Sequence, residues 1–145
     1  MNVNSCMSTD VRLASPGASI REAARLMKEI DAGILPVGEN DRLVGMITDR
    51  DIAVRAVAEG KGPDTAVAAV MSREVLYCYD DEGLDDVARQ MRELQVRRMP
   101  VLNREKRLVG IISLADLVLT DDDGTDRAAN ALEGVSSPGG MHNQG

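Results

Sequence analysis

The sequence predicts a mixed helix-and-strand fold built twice over, and three alignments within the chain predict it. Ile20, Ala24, Met27 and Ile30 fall at helical spacing and align with Leu84, Ala88, Met91 and Leu94 at an offset of 64 residues. Leu35-Pro36-Val37 aligns with Met99-Pro100-Val101 at the same offset. Leu43-Val44-Gly45-Met46-Ile47-Thr48 then aligns with Leu108-Val109-Gly110-Ile111-Ile112-Ser113 at an offset of 65, so the second copy carries one extra residue in its connecting turn. The duplication divides the chain into a first repeat with its linker over 1–64, a second repeat over 65–119 and a tail over 120–145.

Each repeat opens on an amphipathic helix. Ile20, Ala23, Ala24, Met27 and Ile30 form an apolar face, separated by Arg21, Glu22, Arg25, Lys28 and Glu29, and Leu84, Val87, Ala88, Met91 and Leu94 form its counterpart. A short apolar run, a polar turn and a second apolar run follow, which is the pattern of a β-hairpin. The turns are Glu39-Asn40-Asp41-Arg42 and Asn103-Arg104-Glu105-Lys106. Pro36 and Pro100 place the end of the first strand at an edge or irregularity. A second helix spans about Asp49 to Glu59, and a shorter one starts at Leu114. Gly60-Lys61-Gly62-Pro63-Asp64 reads as the linker and lacks the spacing of a phosphate loop. From Asp121 the composition turns to Asp, Gly, Ser, Pro and Asn, with weak helical character around Ala128 to Leu132. Such residues bury too little apolar area to offset ordering entropy, so disorder is expected there.

Composition narrows the function classes. A length of 145 residues suits one compact unit with a core. Phe and Trp are absent, and Tyr77 and Tyr79 are the only aromatic residues, so no platform exists for stacking nucleic-acid bases. The net charge of −7 also argues against phosphate backbones and anionic membranes as partners. Two cysteines, Cys6 and Cys78, and a single histidine, His142, leave little material for Ser-His-Asp, Cys-His or structural zinc chemistry. No metal site is expected. No apolar run reaches the length of a membrane span and the first residues lack a signal pattern, so a cytoplasmic location is expected.

The unit that carries chemistry is Gly45-Met46-Ile47-Thr48-Asp49-Arg50-Asp51, echoed by Gly110-Ile111-Ile112-Ser113-Leu114-Ala115-Asp116. Its structural reading is a hydroxyl and an acid three residues apart where a strand becomes a helix, the signature of a capping box. Three features also suit a ligand. A strand glycine marks close approach of a backbone or a ligand. A helix N-terminus with a hydroxyl offers donors to an anion. An Asp one turn in can accept from a vicinal diol such as ribose. Asp80-Asp81-Glu82 reads as the acidic cap of the Leu84 helix rather than a metal cluster, because acids are favoured in a first turn.

The repeated order of helix, x-x-Pro-Val strand, hairpin, Gly-x-x-Thr/Ser-x-x-Asp and helix resembles a pair of CBS domains (cystathionine β-synthase motifs) over about residues 5 to 119. It is similar to the stand-alone bacterial proteins made of one such pair. The resemblance implies an α+β module of two β-α-β-β-α repeats packed about a pseudo-twofold axis, with two clefts that take adenosine-containing ligands such as AMP, ATP, NAD or S-adenosylmethionine. Carried over by position, Asp51 and Asp116 hold ribose hydroxyls, while Thr48 and Ser113 contact phosphate or ribose. The backbone of Gly33, Ile34, Leu35 and Pro36, and that around Arg97, Met99 and Pro100, borders the adenine. Arg97 fills the family's basic position three residues before the proline, with Arg98 beside it. The first repeat has Gly33 and Ile34 there, so the clefts are unequal. Arg50 is a further phosphate candidate.

These residues lead to a non-catalytic sensor that binds an adenine nucleotide and signals to an effector protein. A homodimer is expected, with apolar helix faces such as Ile52 to Val57 available for contact. The alternative is a ligand-free interaction module whose motifs only cap helices. An enzyme is disfavoured because Asp51 and Asp116 stand in duplicate contexts, whereas acid and base roles need environments that push two pKa values apart.

Overall fold

The computed structural model describes residues 1–119. The expected disorder of 120–145 and the helical stretch near Ala128 lie outside them. The architecture is α+β. Where chain length suits one compact unit, the chain forms two: Arg12–Val75, and Met1–Val11 joined with the chain from Leu76 onward.

In the Arg12–Val75 unit, helix α1 (Ile20–Ile30) starts where Ser19 Oγ accepts from the Glu22 amide at 3.1 Å. The linker satisfies two more of the orphan first-turn amides: Ile20 N–H donates to the Thr65 carbonyl at 2.9 Å and Arg21 N–H to that of Pro63 at 3.1 Å. Ile20, Ala23 and Met27 are buried, as their spacing predicts. Ala24, expected beside them, is exposed. It lines a surface groove with Ile52 and Val57, because the second helix leaves that flank of α1 uncovered.

Strands β1 (Ile34–Glu39) and β2 (Arg42–Thr48) form an antiparallel hairpin in register from Ile34↔Thr48 to Glu39↔Arg42, with a bulge at Val37/Gly38. Only Asn40 and Asp41 lie between the strands, at φ 53° and 63°, the left-handed pair of a type I′ turn. Pro36 sits inside β1 rather than at its end. Its carbonyl accepts from Ala14 N–H at 3.0 Å and Gly38 N–H donates to the Ala14 carbonyl at 2.9 Å, so Pro36 turns its backbone polar groups away from β2. The amide hydrogen that proline lacks is therefore not missed by the hairpin. Helix α2 (Asp49–Asp51) runs on into a π-helical stretch, Ile52–Val57, closer than the predicted end at Glu59.

The second unit repeats this plan with a third strand. β3 (Cys78–Tyr79) pairs parallel with β4 (Arg98–Leu102), and β4 pairs antiparallel with β5 (Leu108–Ser113). Pro100 also lies within its strand, opposite Ile111. Helices α3 (Leu84–Leu94) and α4 (Leu114–Leu119) complete the unit. Leu84, Val87, Ala88 and Met91 pack with Met99, Val101, Ile112 and Leu117, so methionine supplies volume that phenylalanine fills elsewhere. Leu94, expected on the buried face, is 39% exposed.

The acids of 80–82 do not cap α3, contrary to the sequence reading. The cap residue is Gly83, and no side chain bonds it. Asp81 instead holds Arg104 through two 2.8 Å bonds, while Glu82 accepts from the Tyr79 amide at 2.7 Å and from Gln90 Nε2 at 3.1 Å. Arg104, 23 residues away, takes Asp81, while the nearby Tyr79 amide and Gln90 take Glu82 in preference to the helix end.

The compact units differ from the repeat division of 1–64 and 65–119 because a short leader precedes each repeat and packs elsewhere. The leaders are copies: Val3, Met7, Ser8 and Val11 match Val67, Met71, Ser72 and Val75. Each opens on a 3-10 turn, Val3–Ser5 or Val67–Ala69. Ser72 then exchanges two hydrogen bonds with Met46 on β2, at 2.8 and 2.9 Å, and Ser8 exchanges two of 2.8 Å with Ile111 on β5. The glycines explain the crossing. A Cβ on Gly45 would lie 2.7 Å from the Ser72 carbonyl oxygen and 2.8 Å from Met71 Sδ. One on Gly110 would lie 2.9 Å from the Ser8 carbonyl oxygen and 2.5 Å from Met7 Sδ. Gly45→Ala and Gly110→Ala should each lower stability by about 1–3 kcal/mol in chemical denaturation. Gly62→Ala, with open space at its Cβ position, serves as the near-neutral control.

Candidate functional site

The candidate residues converge where β2 and β5 turn into helices. Thr48, extended at φ −116° and ψ 162°, stops the strand and caps α2. Its Oγ1 accepts from the Asp51 amide at 2.9 Å, and Asp51 Oδ2 accepts from the Thr48 amide at 2.9 Å, a complete capping box. The second repeat builds the same box with a shorter side chain. Asp116 Oδ2 accepts from the Ser113 amide at 2.9 Å and from Ser113 Oγ–H at 3.1 Å, and the Asp116 amide donates to Ser113 Oγ at 3.3 Å.

The start of the hairpin closes each site from the side. Asp49 N–H donates to the Gly33 carbonyl at 2.9 Å, and Leu114 N–H to the Arg97 carbonyl at 3.2 Å. Ile34 pairs with Thr48 across the first hairpin, and Arg98 with Ser113 across the second. The structure therefore brings together Gly33, Ile34, Thr48 and Asp51, and likewise Arg97, Arg98, Ser113 and Asp116. The repeats diverge at one cross-strand position, where an apolar Ile34 faces a half-buried Arg98. Leu35 and Met99 are fully buried core residues, so only their backbone can face a ligand. Pro36 and Pro100 are buried too. Arg50 and Arg97 are exposed.

One residue of the site escaped the sequence reading. Arg55 Nη1 lies 3.8 Å from Asp51 Oδ1 and donates to the Met71 carbonyl at 3.3 Å, tying the capping acid to the crossing leader. The four-residue spacing from Asp51 along a helix is the signal that could have found it. The arrangement offers a hydroxyl, a carboxylate and backbone groups at a helix start, which suits recognition of hydroxyl and anionic groups.

Cys78 belongs to the core of its unit and is 1% exposed. Burial first, then the charges of Glu82 and Asp80, push its pKa up to about 12. Cys6 is only partly buried. Titration of the native chain with a thiol-reactive disulfide near pH 8 should label Cys6 alone, and Cys78 should react only after denaturant is added. Rapid native labelling of both thiols would contradict this burial.

Known proteins resemble this chain closely. A family model described as CBS domain matches residues 3–57 and 67–123. The CBS domain-containing protein YhcV of Bacillus subtilis is 39% identical over 135 residues, which cover 93% of this chain and 95% of that protein. Hypoxic response protein 1 of Mycobacterium tuberculosis is 41% identical over 113 residues, covering 77% and 78% of the two chains. Among solved structures, Hypoxic Response Protein I with two coordinated zinc ions superposes with a TM-score of 0.73 at 33% identity, over 83% of this chain and 99% of that one. The CBS domain pair of protein MJ0100, in complex with methylthioadenosine and S-adenosyl-L-methionine, superposes with a TM-score of 0.67 at 31% identity, over 81% and 96%. Among the described residues of this chain, no three His, Cys, Asp or Glu side chains gather to fit a metal ion, and His142 lies outside them.

Proposed function

The chain belongs to the CBS-domain family, and from that premise we propose that it is a non-catalytic regulatory module binding an adenosine-containing ligand at one or both capped helix starts. The observation that carries this reading is the duplicated box itself. Each copy sets a hydroxyl, a carboxylate and a hairpin-entry carbonyl side by side, at Thr48, Asp51 and Gly33 and at Ser113, Asp116 and Arg97. In this reading Asp51 and Asp116 take the ribose hydroxyls, and Thr48 and Ser113 contact ribose or phosphate. The backbone of Gly33 to Pro36, and of Arg97 to Pro100, borders the adenine. Arg97 and Arg98 make the second repeat the one suited to a phosphorylated ligand such as AMP, ATP or NAD, with Arg50 a lesser contact in the first. The adenosine-type ligands of the MJ0100 domain pair support the adenosine part of the assignment.

Occupancy acts by differential affinity, because a ligand shifts a conformational equilibrium only as far as it prefers one state. A homodimer and an effector protein complete the mechanism. Val54 and Val57, exposed on the second helix, and Leu94, at the end of α3, are the apolar positions available for such contacts. Among the described residues no helix is long and apolar enough to cross a membrane.

A second reading, a ligand-free interaction module, is favoured by one observation. Both boxes are complete by themselves, and chain crossings already account for both strand glycines.

Thermal-shift measurements on refolded protein with adenosine, AMP, ADP, ATP, NAD and S-adenosylmethionine separate the two. A ligand at 100 times its dissociation constant should add about 2.7 kcal/mol, a shift of several degrees. A flat response from well-folded protein supports the interaction module. Asp116→Asn keeps an acceptor for the Ser113 amide but loses the charge, so the fold should persist while affinity falls about tenfold or more. Arg97→Ala should weaken AMP far more than adenosine in calorimetric titration, and equal losses would remove its phosphate role.

A further inference from the structure

Both aromatic residues of the chain stand at one place, Tyr77 and Tyr79, beside the connection between β4 and β5. Their rings meet edge to face, 5.6 Å apart at 85°. The Arg104 guanidinium lies 4.0 Å from the Tyr79 ring centre, held by its two bonds to Asp81. The Lys106 ammonium lies 5.4 and 5.7 Å from the two ring centres and donates to the Tyr77 hydroxyl at 3.2 Å. The cluster sits at the opposite end of the β4–β5 ladder from Ser113, past the Leu102↔Leu108 pair.

Counting donors shows what the cluster lacks. A lysine ammonium carries three N–H groups and two phenols carry two O–H groups. The bond to the Tyr77 hydroxyl uses one of the N–H groups. Two N–H groups and the phenol O–H groups remain, on side chains whose rings and ammonium lie 5.4 to 5.7 Å from one another. Among the described residues Lys106 forms no ion pair with a carboxylate, and Asp81 is engaged by Arg104. Lys106 is also held at φ 66°, a left-handed conformation costly for a lysine, where the first repeat's turn uses Asn40 and Asp41. The first repeat has Leu13 and Ser15 in place of the two tyrosines, so the cluster is particular to the second.

We propose that Tyr77, Tyr79 and Lys106 form a binding site for an oxyanion, either a phosphate group or a carboxylate, which accepts from the Lys106 ammonium and a phenol hydroxyl. Lys106 and then Tyr77 hold the Tyr79 phenol below its ordinary pKa, and Tyr79 and then Tyr77 in turn raise Lys106. The cluster thus stabilises negative charge at this point. Base stacking is disfavoured, because Arg104 already covers a face of Tyr79. This site is independent of any ligand at the capped helix starts.

Tyrosine fluorescence tests it directly, since with no Trp in the chain all intrinsic emission comes from this cluster. The full chain is titrated at constant ionic strength with inorganic phosphate, with acetate, and with chloride as control. The expected result is a saturable change with phosphate or acetate and none with chloride, and the anion that saturates at lower concentration identifies the group. Lys106→Asn places a residue tolerant of the left-handed turn there, so the variant should fold by circular dichroism and bind about ten- to a hundredfold more weakly. Tyr79→Phe should also weaken the response, with Tyr77 as the remaining reporter. Arg25→Ala, at an exposed position of α1, should leave it unchanged. Identical, non-saturating responses to all three anions, or a wild-type response in folded Lys106→Asn, would overturn the assignment.

Discussion

Two backbone crossings organise the fold. The Met71-Ser72 segment passes over β2 at Gly45, and Met7-Ser8 passes over β5 at Gly110, each fastened by a reciprocal pair of hydrogen bonds. No side chain fits beneath either crossing. The crossing covers the free edge of each hairpin, where unpaired amides would otherwise invite another strand. It also draws Val67, Val70 and Met71 into the core of one unit, and Val3 into that of the other. In the first repeat the Met71 carbonyl further anchors Arg55, so the acid of the candidate site is steadied from the crossing segment itself.

The candidate site inherits its position from that arrangement. Three residues after each crossed glycine the strand ends in a hydroxyl residue, Thr48 or Ser113, and the helix starts at once. Under the proposed function, the same oxygen atoms that end the strand and satisfy the helix amides are those that would meet a ribose. Structural and ligand roles are compatible because a carboxylate has about four acceptor sites and the cap uses only some of them. What separates the repeats is the residue across the hairpin from the hydroxyl, Ile34 in one and Arg98 in the other.

The chain's aromatic content is spent outside its cores. Leucine, isoleucine, valine and methionine fill both interiors, while Tyr77 and Tyr79 lie partly exposed on either side of the buried Cys78. Strand alternation explains this placement, since neighbours of an inward side chain point outward. Burying Cys78 turns both rings toward the cations of the neighbouring turn, where Asp81 orients Arg104.

Much of this was legible in the sequence because it is local. Helical phases, the Asn40-Asp41 turn and the Thr48/Asp51 and Ser113/Asp116 boxes depend on neighbours within one turn of chain, and spacing records such neighbours directly. Gly45 and Gly110 announced a close approach without naming what approached. The tertiary structure decided the rest: the leaders that cross the hairpins, the engagement of Asp81 and Glu82 away from the helix end, the exposure of Ala24, and the link from Arg55 to Met71. These contacts join backbone atoms or polar side chains separated by 8 to 103 residues. Hydrophobic periodicity records burial on one element at a time, so it holds no information about which distant carbonyl or carboxylate will be the partner.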